Sequence, residues 1–260
     1  MEGRAMAGVL ILSVDLELEI DHSDRLRDEQ LDAVRSRLVG LTQQHRVAAT
    51  WAVADPLLSA ATDQVLHAGA GHELAVLGDR SWIGPGYGRG RIARELDRRL
   101  GRARKAGIAV QALALRNVEP VSVLQLLSEH GITAVRGPAI DSAVAVRKLA
   151  APSVRFGVWQ APAPWQLPLV GRWWLPASWG IGYEIRRTSD RESILHLAID
   201  APRLVEAGPE GMGVVESVLR FAAGRRDAGL LRIATERELA EEALHQREST
   251  HTRSILRPAA

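Results

Sequence analysis

The alternation of short apolar runs with longer amphipathic segments most constrains what this chain can fold into. Buried strands are predicted at 8–16, 47–53, 72–77, 108–115, 132–137, 193–200 and 230–235. Helices are predicted between them at 25–45, 56–69, 91–106, 120–130, 213–228 and 236–246. Strands that alternate with helices are typical of a mainly parallel sheet or barrel with the helices outside.

This alternation is interrupted between residues 151 and 190. The interval is rich in proline and holds five of the seven tryptophans of the chain: Trp159, Trp165, Trp173, Trp174 and Trp179. Regular patterns return at 193, and no linker separates two parts of the chain. We therefore predict one domain over residues 1–246, followed by a flexible tail over 247–260.

Composition and charge narrow the possible functions. The net charge of +2 is too small to indicate a polyanionic partner. A basic run at 88–105 lacks interleaved aromatic residues, so we predict a solvated helix face and no nucleic-acid binding. The absence of cysteine excludes disulfides and thiolate chemistry. The apolar run that ends at Asp15 is too short to cross a membrane, so we predict a cytoplasmic protein without membrane contact.

Two acids stand where the first predicted strand ends. Asp15 and Glu17 belong to the stretch "LILSVDLELEIDHSD" at 10–24. Residues two apart on a strand face the same side, so Asp15 and Glu17 can share a site. One interpretation is a strand that meets solvent and continues as a polar loop. The other is a catalytic strand end that carries a base.

Several segments occur in an order that matches a known family. They are "SVDLE" at 13–17, "ATWAVADPLL" at 49–58, "GHELAVLG" at 71–78, "LALRNVEP" at 113–120 and "ILHLAID" at 194–200. In this order and spacing the chain resembles the polysaccharide deacetylase family, also called the carbohydrate esterase 4 fold, from about residue 8 to residue 245. The resemblance implies an irregular (β/α) barrel with its site at the C-terminal ends of the strands, where barrel enzymes carry their chemistry.

The resemblance implies roles for three residues. Asp15 matches the catalytic base, and Arg116 matches the arginine that orients this base. His196 matches a histidine that serves as general acid or stabilises the tetrahedral intermediate. Each residue also has a structural interpretation: Asp15 can be a cap, Arg116 can neutralise a buried acid, and His196 can be a hydrogen-bonded core histidine.

The metal-binding positions of the family are not retained. Its two histidines, which are four residues apart, correspond to Leu77 and Ser81. The residue after Asp15 is Leu16 where many members have an aspartate, and Glu17 matches a variant with the acid two residues on. One carboxylate does not make a metal site. We therefore predict no bound metal and no other cofactor, and we assign Glu17 to substrate binding.

Aromatic residues supply the remaining candidates for substrate binding. Sugar rings stack on aromatic faces, and the candidates for such contacts are Trp82, Trp159 and Trp165. Burial in the core is the alternative for each of them. Trp82 lies near the missing histidine positions and is expected to fill the space that they leave.

Two hypotheses about function follow from the lost metal ligands, because a metal would both activate water and hold the oxyanion. The first is a metal-independent hydrolase of carbon–nitrogen bonds in an acylated sugar or cyclic amide. The second is a catalytically inactive relative that binds a saccharide or a protein partner. An accessible cluster of Asp15, Arg116 and His196, with the first two about 2.7–2.9 Å apart, favours the hydrolase. A closed cleft favours the binding protein.

Overall fold

The strands and helices largely follow the predicted alternation. The structure is a computed structural model that describes residues 7–17, 25–59, 61–69, 71–84, 86–118, 123–140, 151–167 and 177–255. The strands in these ranges are β1 Gly8–Asp15, β2 Thr50–Val53, β3 Glu73–Gly78, β4 Val110–Leu115, β5 Ala134–Arg136, β6 Ser153–Arg155, β7 Val158–Gln160, β8 Trp165–Leu167, β9 Ile194–Asp200 and β10 Leu231–Ala234. The helices there are α1 Arg25–His45, α2 Ala61–His67, α3 Arg89–Lys105, α4 Leu124–Glu129, α5 Ala177–Arg191, α6 Ala201–Asp227 and α7 Glu236–Ile255.

The described strands form one curled sheet. Their order is β6-β7-β5-β4-β3-β2-β1-β9-β8, and β10 pairs with β1. The pairs are parallel except for β6 with β7, which are antiparallel. An isolated parallel bridge joins Ile140, which follows β5, to Trp165 in β8. The bridge connects the two sides of the curl, so the predicted irregular (β/α) barrel is confirmed.

Strand β1 is central to the sheet because three strands pair with it. β10 covers its N-terminal half, β2 covers its C-terminal end, and β9 runs along the other side. Helix α5 approaches the start of β1 very closely. A Cβ atom at Gly8 would lie 2.3 Å from the backbone oxygen of Thr188, so this approach requires glycine.

The concave face of the sheet is lined mainly by small side chains and covered by the first turns of a helix. Helix α7 follows β10 directly and lies against β4, β5 and β7. The buried cluster at this contact contains Ala52, Ala75, Leu77, Ala112, Ala114, Ala134, Trp159, Leu239 and Ala240. Alanine at the inward positions of β2 to β5 leaves room for a helix that larger side chains would exclude. Glu236, Leu239 and Ala240 are buried at this contact and the helix is largely exposed over residues 241–247, so the first turns of α7 close the concave face of the sheet.

Strand β1 separates this interior from a larger outer core. Leu10, Leu12 and Val14 are buried in the outer cluster, while Ile11 belongs to the inner one. Successive residues of a strand point to opposite faces, so Ser13 and Asp15 share the inner face with Ile11. Burial of each large outer side chain contributes about 1.5–3 kcal/mol to stability.

The sequence prediction differs from the structure in three places. Strands β6 to β8 and helix α5 lie in the proline-rich interval, where no regular element is predicted. Helix α6 begins well before residue 213, because Asp200 caps it and a kink at Gly208 lies inside it. Helix α7 continues to Ile255, so a helix stands where the start of the flexible tail is predicted. Residues 256–260 lie outside the described residues.

Candidate active site at the C-terminal ends of the strands

Asp15 and Asp200 end neighbouring strands at the same level. They are register partners in β1 and β9, so both side chains project from the same face of the sheet at its C-terminal edge. Both side chains are largely buried, with 5% of Asp15 and 12% of Asp200 exposed. Burial raises the pKa of Asp200, Arg116 opposes this rise, and the charge of Asp15 adds to it. The pair thus combines two carboxyl groups in different environments, which is the arrangement that acid–base chemistry uses.

Arg116 lies between the two carboxyl groups. Its Nε is 3.8 Å from Asp15 Oδ2, and its Nη2 is 3.7 Å from Asp200 Oδ2. Its Nη1 donates a hydrogen bond of 2.7 Å to the backbone oxygen of Glu17. The predicted distance of 2.7–2.9 Å from Asp15 is therefore wrong, because Glu17 takes the direct hydrogen bond. Nε and Nη2 are buried and make no hydrogen bond within the described residues.

The direct partner of Asp15 is Arg136, which the sequence analysis missed. Arg136 ends β5, and its side chain is completely buried inside the barrel. Its Nη2 donates a hydrogen bond to Asp15 Oδ1. Its Nε lies 3.8 Å from Oε1 of Glu236, the first residue of α7. The base candidate is therefore held from below by one arginine and flanked at the edge by another.

His196 faces the same interior but lies deeper. It is the register partner of Ile11, so it sits below the level of Asp15. Nδ1 is 2.9 Å from the backbone oxygen of Pro162 and must donate to it, which leaves Nε2 to accept from Ser13 Oγ at 3.0 Å. Burial and the charge of Arg136 lower the pKa of His196 to about 3. The geometry therefore does not support the predicted role of general acid, because Nε2 carries no proton at neutral pH.

Glu17 connects the ends of two strands. Its Oε2 accepts a hydrogen bond of 2.6 Å from the backbone N–H of Ala54, which follows β2. Its backbone oxygen accepts from Arg116 Nη1. These contacts place Glu17 beside the candidate site and give it a positioning role for Arg116. Oε2 of Glu17 is therefore occupied by a contact within the protein. The predicted contact of Glu17 with substrate stays a prediction.

The residues at the family's metal-binding positions do not fit a metal. Leu77 is buried in the inner cluster and offers no donor atom. Ser81 directs both its Oγ–H and its backbone N–H to Asp79 Oδ1, so the turn after β3 uses these groups. Among the residues that the structure describes, no group of three or more histidine, aspartate or glutamate side chains is placed to hold an ion.

The three tryptophans predicted to stack on sugar are buried. Trp82 donates from Nε1 to the backbone oxygen of Leu77 at 3.3 Å, and the guanidinium of Arg99 lies 4.8 Å from its ring centre. Trp159 belongs to the inner cluster and Trp165 to the outer core. All three side chains are core residues here, so the prediction that they offer a face to substrate is not supported. The physical reason is that a large aromatic ring stabilises the fold most when its whole apolar area is buried.

The comparison with solved structures identifies the fold. A candidate polysaccharide deacetylase from Mycobacterium smegmatis superposes with a TM-score of 0.68 at 16% identity, over 95% of this chain and 94% of that one. The fold is that of the polysaccharide deacetylases. A 4-alpha-glucanotransferase from Thermococcus litoralis matches the deacetylase fold of this chain with a TM-score of 0.64 at 14% identity, over 89% of this chain and 40% of that one. No protein-family model and no curated protein matches the sequence.

The basic run at 88–105 makes many contacts within the protein. Arg99 is buried, Arg102 lies 3.3 Å from Asp55, and Arg104 donates to a backbone oxygen. The absence of a nucleic-acid partner stays a prediction. None of the helices in the described part of the chain is both long enough and apolar enough to pass through a membrane.

Proposed function

We propose that the protein is a metal-independent hydrolase of a carbon–nitrogen bond in an acylated sugar or a cyclic amide. The observation that carries this proposal is the position of Arg116 between Asp15 and Asp200 at the C-terminal edge of the barrel. Barrel enzymes place their chemistry at this edge. The deacetylase fold supports a carbon–nitrogen bond as the target, and the pair of carboxyl groups supports acid–base hydrolysis of it.

In this mechanism Asp15 is the general base. A water molecule gives a proton to Asp15 Oδ2, and its oxygen attacks the carbonyl carbon of the amide. Arg136 occupies Oδ1, so Oδ2 is the oxygen left for this proton transfer. The carbonyl oxygen becomes an oxyanion as the new carbon–oxygen bond forms.

Arg116 is placed to stabilise this oxyanion. Its Nε and Nη2 make no hydrogen bond within the described residues and are buried beside Asp15 and Asp200, so in this mechanism the substrate carbonyl enters between the two carboxyl groups to reach them. Loss of one such donor typically costs about 3–4 kcal/mol of transition-state stabilisation. Glu17 fixes Arg116 through Nη1, which keeps the guanidinium in place during the reaction.

Asp200 completes the reaction as general acid in place of His196. Burial raises the pKa of its carboxyl group, which favours the protonated form that can act as a donor. When the tetrahedral intermediate collapses, the carbon–nitrogen bond breaks and the leaving nitrogen takes the proton from Asp200. The products are a carboxylic acid and an amine; Asp15 gives its proton to solvent and Asp200 takes one up from solvent, which restores both groups.

The alternative is a non-catalytic relative that binds a saccharide at the same edge. The complete burial of His196 and the aliphatic Leu77 favour this alternative, because both differ from the family's catalytic arrangement. Binding without turnover would use Arg116 and the carboxylates as hydrogen-bonding groups. The same experiment separates the two functions.

The test is a hydrolysis screen with N-acetylated sugars, their oligomers and cyclic amides, each with a chelator and with added divalent metals. We expect turnover that is unaffected by the chelator and that Asp15→Asn and Asp200→Asn each abolish. Asp190→Asn is the matched control, because Asp190 is exposed and pairs with Arg225 far from the site. Binding by calorimetry without product formation would favour the alternative and overturn the hydrolase proposal.

A further inference from the structure

Below Asp15 lie two fully buried charged groups, and of these only Arg136, through its hydrogen bond to Asp15, has a part in the mechanism so far. Arg136 and Glu236 have no exposed side-chain surface, and they lie 3.8 Å apart from Nε to Oε1. Arg136 also donates from Nη2 to Asp15 Oδ1. A line of groups therefore runs from the candidate base through Arg136 to the first residue of α7.

These two side chains are poorly satisfied for groups inside a protein. Nε and Nη1 of Arg136 and both carboxyl oxygens of Glu236 make no hydrogen bond within the described residues. Unpaired buried polar groups are costly, and an apolar pair of similar volume often stabilises a core as well or better. A stabilising role alone therefore does not explain this pair, whereas a role in controlling Asp15 does.

We propose that Arg136 and Glu236 are a positioning pair for Asp15, in which the charge of Glu236 decides how firmly Arg136 holds the carboxylate. When Glu236 is neutral, Arg136 is directed to Asp15 Oδ1, and Oδ2 faces the reacting water. When Glu236 is ionised, it competes with Asp15 for the guanidinium through Nε and loosens that hold. The inference rests on the proposed function, because it assigns the pair a role in that reaction.

The surroundings of Glu236 place this change of charge near neutral pH. The groups that face it are Arg136 from β5, Glu73 from β3, Asp15 from β1 and His196 from β9, whose Nε2 is 3.6 Å away. Burial raises the pKa of Glu236 to about 8; Arg136 opposes this rise, and Glu73 and Asp15 add to it. His196 adds no positive charge there, since burial lowers its pKa to about 3.

A direct test uses nuclear magnetic resonance on wild-type protein with labelled arginine and aspartate. The Arg136 Nε–Hε resonance is assigned by its loss in Arg136→Lys, and the Asp15 carboxyl carbon by its loss in Asp15→Asn. We expect both resonances to move in one step with a midpoint at about pH 8. The step should disappear in Glu236→Gln and persist in the matched control Glu241→Gln, because Glu241 is exposed on the same helix.

A step that is missing, or one that remains in Glu236→Gln, overturns the inference. If Glu236→Gln does not fold, the labelled glutamate carboxyl carbons of wild type decide, because one of them must titrate together with Arg136. In the turnover assay, kcat of wild type should fall above about pH 8 at unchanged KM, and kcat of Glu236→Gln should not. If kcat of wild type does not fall above this pH, Arg136 and Glu236 have only a structural role and the inference is overturned. If wild type shows the resonance step but no turnover, the proposed function is overturned, whereas the coupling of Glu236 to Arg136 and Asp15 stands.

Discussion

Arg136 Nη2 donates a hydrogen bond to Asp15 Oδ1, which joins the ends of β5 and β1 across 121 positions of the chain. Replacement of Arg136 by methionine should destabilise the protein by about 3–5 kcal/mol, because it leaves the Asp15 carboxylate buried without its partner. Urea unfolding followed by circular dichroism gives the free energy of unfolding.

The control for this prediction is the double variant Asp15→Leu with Arg136→Met. It removes both charged groups, so neither is left buried without its partner. The free energy of unfolding should therefore fall by less in the double variant than the sum of the falls in the two single variants. Additive effects of the two substitutions would contradict a direct interaction between Asp15 and Arg136.

The pH dependence of stability should report Glu236. Its pKa in the folded protein is about 8, above the ordinary value of 4.5, so the folded state binds the proton more tightly than the unfolded state. The free energy of unfolding should therefore fall as pH rises from about 4.5 to about 8, by roughly 1.4 kcal/mol for each unit of the difference. Glu236→Gln should remove this fall, and urea unfolding at several pH values measures it. An equal fall in the variant would assign it to another group.

His196 should make the protein sensitive to acid. Its folded pKa of about 3 is below the ordinary 6.5, so the unfolded state binds protons more readily. Stability from the neutral ring is complete above about pH 6.5 and is lost as pH falls towards 3. His196→Gln should flatten the acid limb of the stability curve. His67→Gln serves as the control because His67 is exposed, and a similar flattening in both variants would contradict the assignment.

Restoring histidine at both Leu77 and Ser81 should destabilise the protein and should not create a zinc site. The imidazole at Leu77 would enter the inner apolar cluster, and burying it without a partner costs about 1–3 kcal/mol. Thermal unfolding and elemental analysis check both parts, and wild type should contain no stoichiometric zinc. A double variant that keeps wild-type stability and binds one zinc per chain would show that the site is vacant and not remodelled.

The alanine lining should tolerate no larger residue. Ala134→Leu adds volume where β5 faces α7, and overpacking of this kind costs about 1–3 kcal/mol. Ala109→Leu is the control because Ala109 is exposed just before β4. Equal stability of the two variants, measured by urea unfolding, would contradict close packing of α7 in the barrel.

Much of the barrel could be predicted from sequence because its strands and helices have local patterns. Asp15 could be located because it stands near the end of a predicted strand, and Arg116, which follows the predicted strand at 108–115, because it matches a segment of the family that the chain resembles. Arg136 and Asp200 also end predicted strands, and this shared position was the available signal for them. The residues that Arg136 and Asp200 contact depend on strand register. Register aligns residues that are distant in sequence, and no local sequence pattern indicates it.

The same limit applies to the interior of the barrel. Alanine alternates through β2 to β5, which indicates small inward positions, but the sequence does not say what occupies the space. Helix α7 has a recognisable pattern, yet the packing of its first turns on the concave face follows from tertiary structure alone. The depth of His196 below Asp15 could not be predicted for a related reason, because it depends on the pairing of β9 with β1.

The covering of the concave face by the first turns of α7 has a consequence for synthesis on the ribosome. The central strand β1 emerges early, but its partners β9 and β10 follow much later, and α7 comes after both. Until then the alanine-lined interior and the side chain of Arg136 lack their cover. Contacts between distant parts of a chain slow folding and prolong exposure of apolar surface. A nascent chain that stalls before residue 236 is therefore an expected client of chaperones, whereas the finished chain closes its own interior.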